Sequence, residues 1–418
     1  MLDGLKLALK GVPDRKISTA KSRKALKAFV LGAVAMAFAL GLPVDAIAGP
    51  AGSIYNPQDY TALETSLEPT TSVEFFTGAG SQDDASDLWY RVDSSAEGDK
   101  VSAGVVELNE SGNVEMAVFT FDEIDIGSGV SVTVTGNRGL VLASRNTFVF
   151  NTTINVAGGD QPSGNGAATA GGPGGAGSNL TTGNNPPPSN GGNGSGGGTG
   201  IGPGGGTYDG TGGGYGGIGG GDANRTMNAP TYGNKELTDL YGGSGGGGGV
   251  GGSGTGGGGS LELVASISLE LGSSARIYID GGDATQVSDT NGNKGGGGSG
   301  GGLILGAVDL TVNSSAQIDA GGGRGQRRGA SGNSGYTGGG GGGGRVAWYY
   351  DTLVYGGNRT TRTLGDGSSA NVPNMIDIER GDNPQNHGFS GTPPARGTFY
   401  EGDFPHIIPP AGTVFIVR

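Results

Sequence analysis

The chain holds two histidines, His387 and His406, and no cysteine. Both histidines lie in proline-bearing sequence that reads as surface loop. Without a thiolate they do not complete a zinc cluster of the usual ligand spacing. No Gly-x-Ser-x-Gly elbow stands out with histidine and acid partners. The glycine runs are not phosphate loops, because no lysine follows at the required position and no helix follows to receive the phosphate. The remaining candidates are carboxylates. Asp280 and Asp283 follow the apolar pair Ile277 and Ile279, and Asp319 recurs after Ile318. Clustered carboxylates on one exposed face are what a polysaccharide-cleaving protein needs for its acid and base. The plainer reading is that outward polar residues on an alternating strand are solvated. Asp289-Thr-Asn291-Gly-Asn293 partly matches an oxygen-rich calcium loop, but the remaining acidic ligand positions are missing. A structural calcium is therefore the one cofactor considered. Trp348, Tyr349 and Tyr350 are able to stack on sugars, although alternate residues of such a run belong in a core. Ser131-Val-Thr133-Val-Thr135 resembles a flat, ice-binding threonine face that later segments do not repeat. No catalytic, cofactor-binding or metal residue is assigned, and the chain is not read as an enzyme.

The elements that carry these residues are short strands. From Phe119 to Val156, apolar residues alternate in pairs: Phe119/Phe121, Ile124/Ile126, Val130/Val132/Val134, Leu140/Leu142, Phe148/Phe150 and Ile154/Val156. A period of two marks a strand with one buried face. With three strands per turn, Phe119 returns as Leu140, Ile124 as Phe148 and Val130 as Ile154. The unit recurs as Leu261/Leu263, Leu269/Leu271 and Ile277/Ile279, then as Leu303/Leu305, Leu310/Val312 and Ile318/Ala320. After the third strand of each unit a long glycine excursion leaves, over roughly 157–260, 281–302 and 321–345.

Glycine makes up 96 of the 418 residues, mostly between about 158 and 345. Collagen is excluded because no strict Gly-X-Y register persists. Two readings of the excursions remain. Glycine supplies positive φ at tight corners and the rest is flexible loop, or the excursions pack as extended polyglycine-like strands that approach closely because no Cβ intervenes.

The runs GGGGSGGGLILGAVDLTVNSSAQIDAGGG (295–323) and GGGGGGGRVAWYY (338–350) resemble glycine-rich, β-helix-like repeats of large secreted and cell-surface proteins of bacteria. The resemblance covers about 119–350 and concerns architecture, so it carries no catalytic residues over. The expected fold is all-β: a parallel β-solenoid, or β-helix, with long glycine-rich insertions from one corner and an N-terminal β-rich cap. The expected organisation is a signal peptide over 1–48, a cap or docking segment over 49–115, the glycine-rich solenoid over 116–350 and closing coils over 351–418. Candidate strands of the cap are Val73–Phe76, Leu88–Val92 and Val101–Leu108; those of the last part are Ile376–Ile378, Gly397–Phe399 and Gly412–Arg418.

The N-terminus has the layout of a secretory signal. Basic residues from Lys6 to Lys27 precede an apolar run, Ala28–Val44, that ends in Ala46-Ile47-Ala48. The competing reading is an uncleaved anchor, with a run at the lower edge of spanning length. The first 48 residues hold eight basic and three acidic residues, so the remainder has 17 basic against 35 acidic, a net of −18. Such a balance excludes nucleic acid as a partner and suits solubility and attraction of divalent cations. No transmembrane segment is expected after cleavage. The functional expectation is a secreted structural or adhesive protein of the bacterial surface, matrix or an extracellular filament. Its expected partner is itself, by strand addition, or a surface polysaccharide; the alternative is a carbohydrate-binding or carbohydrate-cleaving β-helix.

Overall fold

The alternating apolar pairs do form strands, and the strands pair in parallel. The computed structural model describes residues 54–78, 87–108, 115–159, 210–221, 229–248, 254–284, 295–326, 337–382 and 393–405. All lie within one compact unit, Ala51–Arg418. The expected signal peptide, the Asp289–Asn293 loop, His387, His406 and the expected last strand Gly412–Arg418 lie outside the described residues. Among the described residues helix is confined to 3-10 conformation, at Pro57–Asp59, Asp87 and Glu97–Asp99. None of these residues forms a helix long and apolar enough to cross a membrane.

The chain opens with short strands β1 (Ser66–Leu67), β2 (Ser72–Phe76), β3 (Trp89–Val92), β4 (Val101–Ser102) and β5 (Val105–Leu108). The single strand expected over 101–108 is broken at Gly104, whose φ is +119°. From β6 onward the chain visits three sheets, I, II and III, in fixed rotation. The first round is β6 (Glu115–Phe121), β7 (Glu123–Ile126) and β8 (Ser131–Thr135); the second is β9 (Gly139–Ser144), β10 (Thr147–Phe150) and β11 (Thr153–Asn155). The third is β12 (Ser260–Ala265), β13 (Ser268–Leu271) and β14 (Arg276–Tyr278); the fourth is β15 (Gly302–Gly306), β16 (Asp309–Val312) and β17 (Gln317–Asp319). Next come β18 (Arg345–Tyr349) and β19 (Thr352–Tyr355), then β20 (Arg359–Thr363) and β21 (Ser369–Pro373), and finally β22 (Ile376–Asp377) and β23 (Thr398–Gly402). β20 and β21 form an antiparallel hairpin between a sheet II strand and a sheet III strand. That hairpin was not anticipated from the alternation. At the other end, β2–β3–β4 extend sheet III and β5 extends sheet I, with antiparallel pairing in β2–β3, β3–β4 and β5–β6.

Apolar side chains stack in columns along the sheets. Ile154, Ile277, Ile318 and Ile376 form one column of sheet III. Phe119, Leu142, Leu263, Leu305 and Trp348 form one column of sheet I. These residues are at most 1% exposed and belong to one core; each such side chain contributes about 1.5–3 kcal/mol on burial. The expected register of Ile124 with Phe148 holds. The expected partner of Phe119 was one residue pair off: Phe119 lies beside Leu142, and Ala117 beside Leu140. Likewise Ser131 aligns with Thr153, which puts Val132 rather than Val130 in step with Ile154. β6 is buried at every position, so apolar alternation there does not single out one register.

Sheet I is covered on both faces. A second apolar cluster, including Val118, Val141, Val264, Ile304 and Ala347, lies on its outer side against Tyr215, Tyr232, Leu237 and Leu240. An N-terminal strap, 54–63, crosses the same face. Gln58 Nε2 donates to Arg145 O at 2.6 Å and Ser266 Oγ at 3.0 Å, and the Leu63 N–H donates to Thr120 O at 2.7 Å. Beneath the strap, Glu262 stands in the column Val118–Val141–Glu262–Ile304–Ala347. It is fully buried, one carboxyl oxygen accepts the Tyr55 N–H at 2.9 Å, and the other has no hydrogen-bond partner.

Burial pushes the Glu262 carboxyl well above the usual glutamate range, and the Tyr55 N–H opposes this only in part. The folded chain therefore keeps a proton that the unfolded chain releases. The stability this confers is complete below the ordinary glutamate range and is lost as pH rises through the raised folded value. Melting temperature followed against pH is expected to fall on that rise, and Glu262→Gln is expected to flatten the fall. Superimposable profiles for the two chains would refute the assignment.

Candidate functional site

The glycine excursions run from sheet III strands back to sheet I strands, after β11, β14, β17 and also β22. Their hydrogen bonds have a period of three. Along 296–301, Gly296 and Ser299 donate to Gly247 and Ser244, each at 2.9 Å; Gly297 and Gly300 donate to Gly339 and Gly342, each at 3.0 Å. Gly298 and Gly301 donate to Gly282 and Ile279, at 3.2 and 2.7 Å. The same stretch accepts from Thr255 and Gly258, from Gly213, and from Gly323. One segment thus has neighbours on six sides. A β-strand directs its N–H groups to two sides, whereas three residues per turn and no internal bonds define the polyproline II helix, which polyglycine also adopts. The close-packed reading of the excursions is the one this geometry matches.

Glycine is required there by contact. A methyl group built on Gly298 lands on the carbonyl oxygen of Gly256, and one built on Gly341 lands on that of Gly298. Two hydroxyls within the array bind backbone: Thr255 Oγ1 accepts from the Gly298 N–H at 2.7 Å, and Ser299 Oγ accepts from the Ser244 N–H at 2.8 Å. Arg345, at the start of β18, ties the excursions to sheet I by donating to Tyr215 O, Tyr232 O and Gly233 O at 3.3, 2.8 and 3.2 Å.

The carboxylates singled out in the sequence converge where this array meets sheet III. Asp283, Asp280 and Asp319 line a groove of about 260 Å³ together with Asp377 and Glu379. Asp319 and Asp377 are register partners on adjacent strands, and both also line a larger groove of about 630 Å³ that contains Tyr278, Gln317 and Asn374. Burial holds the Asp319 carboxyl above the usual aspartate range; the Gly321 N–H lowers it, and the Asp377 and Asp283 charges raise it further. Asp319 accepts that N–H at 3.0 Å, and Asp377 accepts the Glu379 N–H at 2.7 Å. The Asp283 carboxylate accepts the Arg324 N–H at 2.7 Å. Among the described residues no three His, Cys, Asp or Glu side chains are set to hold a metal ion. What the face offers is a phenol ring, amides and paired carboxylates beside open space, a set suited to hydroxyl-rich ligands.

Trp348 is wholly buried in the core, Tyr349 packs on Tyr400, and the Tyr350 hydroxyl donates to Glu401 at 2.8 Å. They do not form a sugar-stacking run; the aromatic residues that line the larger groove are Tyr355 and, on the outward column Asn155–Tyr278–Asp319–Asp377, Tyr278. The signal of Tyr278 in the sequence is its place between Ile277 and Ile279, which an alternating strand turns outward. Ser131, Thr133 and Thr135 are exposed, but the neighbouring β2 presents Ser72, Glu74 and Phe76, so no threonine face continues. No known protein family, curated protein or solved structure matches the chain.

Packing at the array generates a direct test. Gly298→Ala is expected to cost about 3 kcal/mol or more, because backbone rather than a pliable side chain must move. Gly356, where a methyl group meets nothing within 4 Å, is the matched control, and Gly356→Ala is expected to change stability by less than about 0.5 kcal/mol. Chemical denaturation of both variants decides the point; equal effects would show that close packing is not what selects glycine.

Proposed function

We propose that the chain is a secreted structural or adhesive protein of the bacterial surface, matrix or an extracellular filament. Its architecture on this reading is a three-sided parallel β-solenoid, with the glycine excursions forming a second, hydrogen-bonded layer along one corner. The rotation through three sheets and the stacked columns support the solenoid. The observation that carries the structural role is the period of three in the array, which makes the glycines of 212–220, 243–247, 256–259, 296–302 and 338–344 part of a packed body rather than slack chain. The mechanism is geometric. Coils stack about 4.8 Å apart, and an end strand is a template for strand addition by a second copy. Amide exchange should be slow at 244–248, 254–259 and 295–301, and electron microscopy of the concentrated protein should reveal end-to-end particles. Rapid exchange in those stretches removes the rigid layer; strictly single particles at high concentration remove the self-assembly.

A carbohydrate-binding role is the second reading, favoured by the groove beside Tyr278, Asp319 and Asp377. Binding on a glycan array should fall about tenfold, or about 1.4 kcal/mol, in Tyr278→Ala, with folding unchanged. Release of new reducing ends from a bound polysaccharide would turn binding into cleavage; no retention on any glycan would end this reading.

A further inference from the structure

With 13 tyrosines and no cysteine, the chain has phenols rather than thiols available for oxidative cross-linking. Coupling two phenols requires the carbons ortho to their hydroxyls to meet. Tyr349 stands in the outer column of sheet I between Gly306 and Gly402, so no side chain flanks it on either adjoining strand. Tyr400 stands one column over, beside Ala347. The two ring centroids are 5.6 Å apart at an interplanar angle of 55°. A methyl group built on Gly402 would lie 2.7 Å from Tyr400 Cε1 and 3.1 Å from Tyr349 Cε1. Both atoms are ortho carbons, so they face one space that Gly402 leaves open. The Tyr349 hydroxyl donates to the Glu236 carbonyl, which orients its ring. Both residues are half-buried. Tyr215 and Tyr232 have closer centroids, 4.8 Å, but are 0% and 9% exposed.

The geometry points to Tyr349 and Tyr400 as a dityrosine site that locks β23 to β18. The oxidant is a peroxide acting through a peroxidase. Each phenol gives up one hydrogen atom, the two phenoxyl radicals join through Cε1, and each ring returns the displaced hydrogen to its own oxygen. The chain loses two hydrogen atoms, and one hydrogen peroxide becomes two waters. The link closes a loop in the unfolded chain and so restrains it. The structural reading proposed above is not needed for this step, although a covalent lock on a sheet edge suits it.

The test treats the dilute full chain with a heme peroxidase and hydrogen peroxide, then reads dityrosine fluorescence and maps linked peptides by mass. The expected result is an intramolecular link between the peptides of Tyr349 and Tyr400, with the mass of two hydrogens lost and a raised melting temperature. Tyr349→Phe and Tyr400→Phe should each abolish it while leaving the unoxidised fold intact. Gly402→Ala, which fills the shared space, should slow it. A link between Tyr215 and Tyr232, covalent dimers only, or no link under conditions that couple free tyrosine would each overturn the assignment.

Discussion

A backbone N–H buried without a partner is costly, and the glycine excursions bury many of them without forming a sheet. Around 296–301 the donors turn through three directions and find three different segments, while the carbonyls receive donors from three more. Six neighbours around one backbone demand that chains approach to contact distance on every side. That approach is compatible with glycine and with little else, since a Cβ at Gly298 or Gly341 meets a carbonyl oxygen. The ordering entropy of glycine is the largest of any residue. It is offset here by hydrogen bonds made cooperatively across the layer, which no isolated excursion could form. The array and the strands therefore depend on each other: each excursion is held at both ends by strands already in register.

The same dependence explains why sheet I is buried on both faces. Segments delivered by the excursions, Tyr215 and Tyr232 to Leu240, cover its outer side together with the strap at 54–63. Arg345 fastens that cover through three carbonyl oxygens, and Tyr215 lies 5.3 Å from its guanidinium. The outer column then becomes apolar apart from Glu262. A buried carboxyl with one hydrogen bond is tolerable as the neutral acid and not as the anion.

Much of the all-β, parallel arrangement was legible in the alternation. Leu261/Leu263, Leu269/Leu271 and Ile277 stand in strands, with Ile279 one residue past the end of β14, and the excursions leave after the third strand as the spacing implied. Three things were not legible, each for a physical reason. The register at Phe119 was ambiguous because β6 is buried along its whole length. The β20–β21 hairpin is hidden because Arg359–Thr363 is polar on both faces and leaves no period to read. The burial of Glu262 is hidden because its place between Leu261 and Leu263 dictates only that it points outward. It is indeed outward, but its cover comes from Tyr55, far away in sequence. Of the candidate site, Asp280, Asp283 and Asp319 were visible as residues; their meeting with Asp377 and Glu379 depends on pairing between β17 and β22.

Covering sheet I also decides where a partner can act. The outward residues of sheet II include Glu123, Asp125, Glu270 and Asp309, all exposed, on strands that present no lysine or arginine. Such a face repels copies of itself and attracts cations. Sheet III mixes signs and shapes: Arg276 lies beside Gln317, Tyr278 beside Asp319, and Asp319 beside Asp377. A ligand that needs hydrogen bonds and a ring surface has a match on sheet III, where the grooves also lie. Side-by-side association of copies through sheet II is disfavoured by its charge. The four carboxylates of sheet II thus sit on a face that folding does not use, and act by restricting how the molecule meets its own kind.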